Sequence, residues 1–249
     1  MKGPSRERFF RVWAVLFAFA GLLCLFPSRA LSGVVVHDVV AVKDQKIMLR
    51  AETRGKLFRR GGELVEFFVD GKSIGKNLSG GDGIAFKPFV PKSTGIFQLQ
   101  VRSRGEEGTG RLLSLDRGSA IVLVDVEGTL FEGPFPMKAR LGSQEVIERT
   151  CERFPVVFLQ TSLVGLRVVK GWLKENEYVA SPVVAWGQGA VLEEMAEKGL
   201  HIKAVIAGPK VIETWKGKKP LTFSFDRVEG AERVKEWEEI GSKLLAEKN

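Results

Sequence analysis

Apolar and polar residues change places in short bursts over the first half of the chain. Ile96-Phe-Gln-Leu-Gln-Val101 alternates as a half-buried strand should. The same pattern predicts strands over Val34–Val42, Lys46–Thr53, Leu64–Asp70, Ser73–Leu78, Gly83–Phe89, Gly95–Ser103 and Gly110–Leu115. Asp70-Gly71 between two of them is a hairpin turn signal. Short strands at this spacing predict an antiparallel β-sandwich over residues 31–117.

After Arg117-Gly118 the rhythm changes. Apolar runs at 120–125, 156–161, 182–186, 203–207 and 221–225 are separated by helix-like stretches at 143–154, 163–175, 189–198 and 210–216, and a last helix is expected over Ala231–Ala246. Alternating strands and helices predict a parallel sheet covered on both faces, a Rossmann-like α/β fold over residues 118–249. Ligands of such sheets bind beyond the carboxyl ends of the strands, where Asp125, Thr161 and Gly208 fall.

Residues 1–30 belong to neither half. Lys2, Arg6, Arg8 and Arg11 precede the uncharged stretch Val12–Phe26 and then Ser28-Arg-Ala30, the layout of a secretory signal cleaved after Ala30 or retained as an anchor. The chain is therefore expected outside the cytoplasm, periplasmic or at the membrane. Of its two cysteines only Cys151 follows this segment, so no internal disulfide is expected in the mature protein. Residues 31–117 carry 15 basic against 10 acidic side chains, and residues 118–249 carry 18 against 19. The basic excess lies on the first half, where it suits anionic lipid headgroups or cell-wall polymers or is simply a solvated surface. No nucleic-acid-binding motif is present.

The chemistry sits at three strand ends. Ala120-Ile-Val-Leu-Val124 runs into Asp125-Val-Glu-Gly-Thr-Leu130; Val156-Val-Phe-Leu-Gln160 runs into Thr161-Ser162; Ala204-Val-Ile-Ala207 runs into Gly208, with Glu213 five residues on. An aspartate that attacks phosphorus and a neighbouring acid that moves the proton need such a placement. These ends resemble motifs one, two and four of the haloacid-dehalogenase (HAD) superfamily of Mg²⁺-dependent phosphohydrolases. The resemblance implies that Asp125 is a nucleophile forming an aspartyl-phosphate and that Glu127 is the general acid and base. It also implies that Gly128 and Thr129 shape the turn at the substrate, and that Thr161 or Ser162 donates a hydroxyl to the phosphoryl group. Asp125, Glu127 and Glu213 would ligate Mg²⁺. Pro209 stands where the family places one acid, and the usual lysine is missing from Trp186-Gly-Gln-Gly-Ala190, leaving Lys210, or less well Lys203, to supply the cation.

Two narrower resemblances accompany this one. Val65-Glu-Phe-Phe-Val-Asp-Gly71 with Gly95-Ile-Phe97 is similar to bacterial immunoglobulin-like domains, which space, present or bind. Val169-Lys-Gly-Trp-Leu-Lys-Glu-Asn176, following the second motif, is similar to lipin-type phosphatidate phosphatases. Between Phe131 and Pro155 there is no room for a large cap, so an open site for a phosphorylated small molecule or a phospholipid is expected. The competing expectation is a non-catalytic envelope protein that binds an anionic ligand or partner on the same fold.

Overall fold

The computed structural model describes residues 33–55, 58–133, 137–161, 164–214 and 220–246. The expected leader, Ser162 and the basic run Lys216-Gly-Lys-Lys219, expected from the sequence to be a solvated loop, lie outside the described residues.

The first half forms eight strands: β1 (Gly33–Val36), β2 (Val39–Val42), β3 (Ile47–Arg54), β4 (Leu64–Val69), β5 (Lys72–Leu78), β6 (Ile84–Phe89), β7 (Gly95–Ser103) and β8 (Glu106–Leu115). They make two sheets, β1-β3-β6 and β2-β8-β7-β4-β5. Val34, Val36, Leu49, Ala51, Val65, Phe67, Leu99, Val101 and Leu112 fill the space between, one buried side chain at every second position. Asp70 and Gly71 both adopt positive φ (46° and 74°), as a two-residue primed turn between β4 and β5 requires.

Two sequence expectations change here. The single strand expected over Val34–Val42 breaks at His37-Asp38: β1 pairs antiparallel with β3, whereas β2 crosses to the other sheet and runs parallel to β8. An acidic residue inside a valine run marks the crossing, because Asp38 Oδ1 accepts the backbone N–H of Arg111 at 2.8 Å and Oδ2 that of Val183 at 2.8 Å. The last strand starts at Glu106 rather than Gly110, since Arg104-Gly105 (φ 51° and 75°) closes a long hairpin whose polar residues hid it. At Gly108 a β-carbon would strike the Val34 carbonyl, so β1 lies directly over β8 there.

The second half has β9 (Ala120–Asp125), β10 (Val156–Gln160), β11 (Val183–Ala185), β12 (His201–Ile206), β13 (Leu221–Ser224) and β14 (Glu232–Arg233). Its helices are α1 (Ser143–Cys151), α2 (Leu166–Glu175), α3 (Ala190–Glu197), α4 (Pro209–Ile212) and α5 (Trp237–Ala246). All six strands are parallel, in the order β11-β10-β9-β12-β13-β14. The order reverses between β9 and β12, which makes their carboxyl ends the crevice of a doubly wound sheet. The helix expected from Ala231 begins only at Trp237, because Glu232–Arg233 first pairs with β13 and Val234 and Trp237 then turn into the core.

The parallel sheet buries its two faces differently. One packs under α1, α2 and α5 through Val146, Ile147, Val169, Trp172, Trp237 and Ile240. On the other, Ile121, Leu123, Val157, Leu159 and Val205 meet α3 and also Val40, Val42, Leu113 and Leu115 of the sandwich. Strands β2 and β8 therefore take part of the place a second helix layer would fill.

Candidate functional site

Asp125 is the last residue of β9 and only 2% exposed. The chain beyond it does not enter an α-helix. Val126–Leu130 makes a single π-helical turn, a wide turn found frequently at functional sites. Asp125 caps it: Oδ1 accepts the Gly128 N–H at 3.1 Å, while the Thr129 hydroxyl donates to the Asp125 carbonyl at 2.5 Å. Thr129 is fully buried, so its hydroxyl holds the turn instead of facing a ligand.

Two other strand ends close on the same carboxylate. Just past β10, Thr161 Oγ1 lies 2.7 Å from Asp125 Oδ1 and 3.2 Å from Glu127 Oε2, and the Thr161 N–H donates to Glu127 Oε2 at 3.0 Å. Past β12, the Gly208 N–H donates to Asp125 Oδ2 at 3.2 Å. A β-carbon on Gly128 would collide with the Asp125 carboxylate and sit 2.8 Å from the Gly208 nitrogen. Glycine there lets the two backbones approach.

Burial pushes the Asp125 carboxyl above the ordinary aspartate range. Hydrogen bonds from Thr161, Gly128 and Gly208 pull it back down, and the charge of Glu127 pushes it up again. Glu127 is half-buried, so the pair combines a sheltered residue with a less sheltered one.

Lys210 Nζ donates to the Thr161 carbonyl at 2.6 Å, which brings this exposed lysine from α4 to the edge of the cluster. Lys203 goes elsewhere, its Nζ 5.9 Å from the ring centre of Phe154. Glu213 is exposed at the carboxyl end of α4. Pro209 occupies the first position of α4, where a missing N–H costs nothing and the fixed φ suits a helix start. Among the described residues no group of three or more His, Cys, Asp and Glu side chains gathers as a metal cage. Mg²⁺ is commonly held by one or two carboxylates together with substrate phosphates, a donor set to which Asp125 would bring its carboxylate and Glu127 its backbone carbonyl.

Cys151 is a partly buried free thiol, pushed up by burial, with Ser181 Oγ 3.9 Å away. Two supporting residues carried no sequence signal. Arg140 Nε donates to the Thr129 carbonyl at 3.1 Å and its Nη2 to that of Phe131 at 3.2 Å, with the guanidinium 4.1 Å from the Phe225 ring centre. Trp237 Nε1 reaches the same Thr129 carbonyl at 3.4 Å. Both lie outside any motif, and only the folded chain brings them to the turn.

No protein-family model and no curated protein matches the sequence. Among solved structures, a carbohydrate acetylesterase from Xanthomonas citri overlaps 71% of this chain and 50% of its own, at 15% identity and a TM-score of 0.32. A protein from Corynebacterium diphtheriae described as membrane anchored overlaps 42% of this chain and 23% of its own, at 15% identity and a TM-score of 0.32. Fibronectin(III)-like modules of Clostridium thermocellum CbhA overlap 33% of this chain and 97% of their own, at 17% identity and a TM-score of 0.25. At these scores the likenesses carry no argument about function, and the β-sandwich rests on its own strand pairing.

Proposed function

We propose that the strand-end cluster is the site of a Mg²⁺-dependent phosphomonoester hydrolase of the HAD type. The observation that carries this reading is the position of Thr161, whose hydroxyl faces both Asp125 and Glu127 at the point where the strand order reverses. Such a hydroxyl is placed to follow charge from carboxylate to phosphoryl group.

A carboxylate oxygen of Asp125 attacks phosphorus, the ester P–O bond breaks, and the leaving alkoxide takes a proton from protonated Glu127. Glu127, now a carboxylate, takes a proton from water as the water oxygen attacks the aspartyl-phosphate. The P–O bond to Asp125 then breaks, returning the carboxylate and releasing phosphate. Lys210 supplies positive charge at the cluster's edge. Mg²⁺, held by the Asp125 carboxylate and the Glu127 backbone carbonyl, would neutralise phosphoryl charge. The short connection between β9 and β10 leaves room for a large substrate, including a lipid phosphomonoester such as phosphatidate. Export by the amino-terminal leader and a spacing role for the sandwich, read as immunoglobulin-like, complete the proposal.

A second reading draws support from the Asp125 carboxylate itself: three donors already satisfy it, and among the described residues no third acid joins it. Such a site would bind an anion without turning it over. Fluorine NMR with beryllofluoride and Mg²⁺ separates the two readings. A bound signal lost in Asp125→Asn supports a nucleophile, and the absence of any bound signal supports the binding module.

A further inference from the structure

The sandwich end that holds the start of β1 is crowded with guanidinium groups. Glu52, its side chain 3% exposed, is met by Arg54 at 2.9 Å, Arg50 at 3.1 Å, Arg59 at 3.3 Å and His37 at 2.9 Å. Beside it Glu63, 6% exposed, holds Arg60 at 3.6 Å and also Arg104. Arg54, Arg60 and Arg104 line one small cavity with Gly33 and Ser103, and Glu106 is the one further acid in its lining. Five arginines thus gather around two buried carboxylates and this third.

Their side chains remain 39% to 65% exposed, so the buried acids orient the guanidiniums without removing them from water. Each guanidinium carries five N–H donors and spends only part of them on a glutamate. The buried Nε of Arg50 has no hydrogen-bond partner among the described residues. Phe58 stands among them 81% exposed, its carbonyl accepting the Gly55 N–H at 2.8 Å. Arg167, in the first turn of α2, adds a sixth arginine: a β-carbon on Gly33 would sit 3.1 Å from its Nη2.

A basic face alone is ordinary protein surface. Here the route of the chain says what covers it. Gly33 pairs with Arg54, and the uncharged stretch Val12–Phe26, retained as an anchor, ends seven residues before Gly33, a span of about 25 Å at full extension. An apolar stretch flanked by arginines, a basic patch within that reach and one projecting phenylalanine are the elements of interfacial lipid binding.

We infer that this end of the sandwich docks on the surface of an anionic lipid bilayer, with Arg54, Arg59, Arg60, Arg104 and Arg167 on lipid phosphates and Phe58 in the headgroup layer. The inference does not depend on the phosphatase reading. Helix α2 leaves the strand end that carries Thr161, so docking through Arg167 would also turn that helix toward the bilayer.

Amide hydrogen exchange of the full-length chain, in phosphatidylcholine vesicles with and without about one-third phosphatidylglycerol, tests the docking. Each arginine near an anionic surface is worth roughly a fivefold preference, so exchange at residues 58–60 and 104–105 should slow at least about fivefold in the anionic vesicles. The Asp70-Gly71 turn, at the opposite end of β4, should not change. Salt at about 0.5 M should abolish the protection, and Phe58→Ser, at a side chain 81% exposed, should weaken it while the rest of the exchange pattern is kept. Equal exchange in neutral and anionic vesicles, protection that survives salt, or protection centred on residues 70–72 would each overturn the inference.

Discussion

The hydroxyl of Thr161 lies 2.7 Å from Oδ1 of Asp125 and 3.2 Å from Oε2 of Glu127, so one side chain past β10 ties together the two carboxylates delivered by β9. A hydroxyl has a single proton, so the Thr161 hydroxyl donates to one carboxylate at a time, while the Thr161 N–H donates to Glu127. The cluster is thereby set with its buried member held by three donors.

Thr161→Val removes the hydroxyl and keeps the shape. If the cluster is catalytic, turnover of a phosphomonoester should drop about 100-fold, the usual loss for a donor aimed at developing charge. Thr161→Ser should retain most of the activity. A comparison of the two variants by steady-state kinetics checks this, and equal rates would remove the hydroxyl from the mechanism.

Asp125 carries a carboxyl raised by burial. A raised carboxyl stabilises the fold below the pKa it has in the unfolded chain, and that stabilisation is lost as pH rises through the folded pKa. Asp125→Asn carries no such dependence. The variant should therefore gain in Tm relative to wild type as pH is raised from about 4 to 7, and calorimetry across that window should show the two curves converging at the acidic end.

Much of this arrangement was legible in the sequence because it follows from local pattern. The apolar run Ile121–Val124 had to be a buried strand, and the acid that ends it had to fall at the sheet's carboxyl edge. The alternation around Gly95–Ser103 gave the β7 face that packs into the sandwich. What escaped depended on distant partners. Whether Val34–Val42 is one strand or two turns on the buried Asp38, whose partners Arg111, Lys170 and Val183 lie far along the chain. The clamp of Arg140 and Trp237 on the Thr129 carbonyl joins a loop to the last helix, and neither residue belongs to a recognisable motif. The exposure of Glu213 could not be read either, because the short α4 ends just before it.

Glu52 offers a second pH test. Burial alone would raise its carboxyl, but hydrogen bonds from Arg54 and His37, with the charges of His37 and Arg59, outweigh it and hold the group at about 2 instead of 4.5. A depressed carboxyl contributes stability that is present above 4.5 and lost as pH falls through about 2. Glu52→Gln should cost about 2 kcal/mol at neutral pH, allowing for screening of the half-exposed arginines. Urea titrations should show that cost shrinking as the pH approaches 2.

Asp38 joins the two halves of the chain. Its carboxylate has no exposed surface and holds Lys170 Nζ at 2.5 Å as well as two backbone N–H groups. Asp38→Ala leaves that lysine largely buried without its partner, and the loss should be about 3 kcal/mol. Urea unfolding followed by near-ultraviolet and far-ultraviolet signals should lose coincidence in the variant as the sandwich and the parallel sheet uncouple.

The central claim is that Asp125 is a nucleophile toward phosphorus. Its most direct measurement is the initial rate of p-nitrophenyl phosphate hydrolysis with Mg²⁺ in wild type, Asp125→Asn and Pro209→Asp. Replacing the proline at the start of α4 by aspartate breaks no hydrogen bond of the helix, and the new carboxylate stands where the resemblance places a ligand acid. The account predicts turnover in wild type, none above background in Asp125→Asn, and a higher rate with tighter Mg²⁺ dependence in Pro209→Asp. Hydrolysis that persists in Asp125→Asn, or no turnover in wild type and in a folded Pro209→Asp protein, would contradict it.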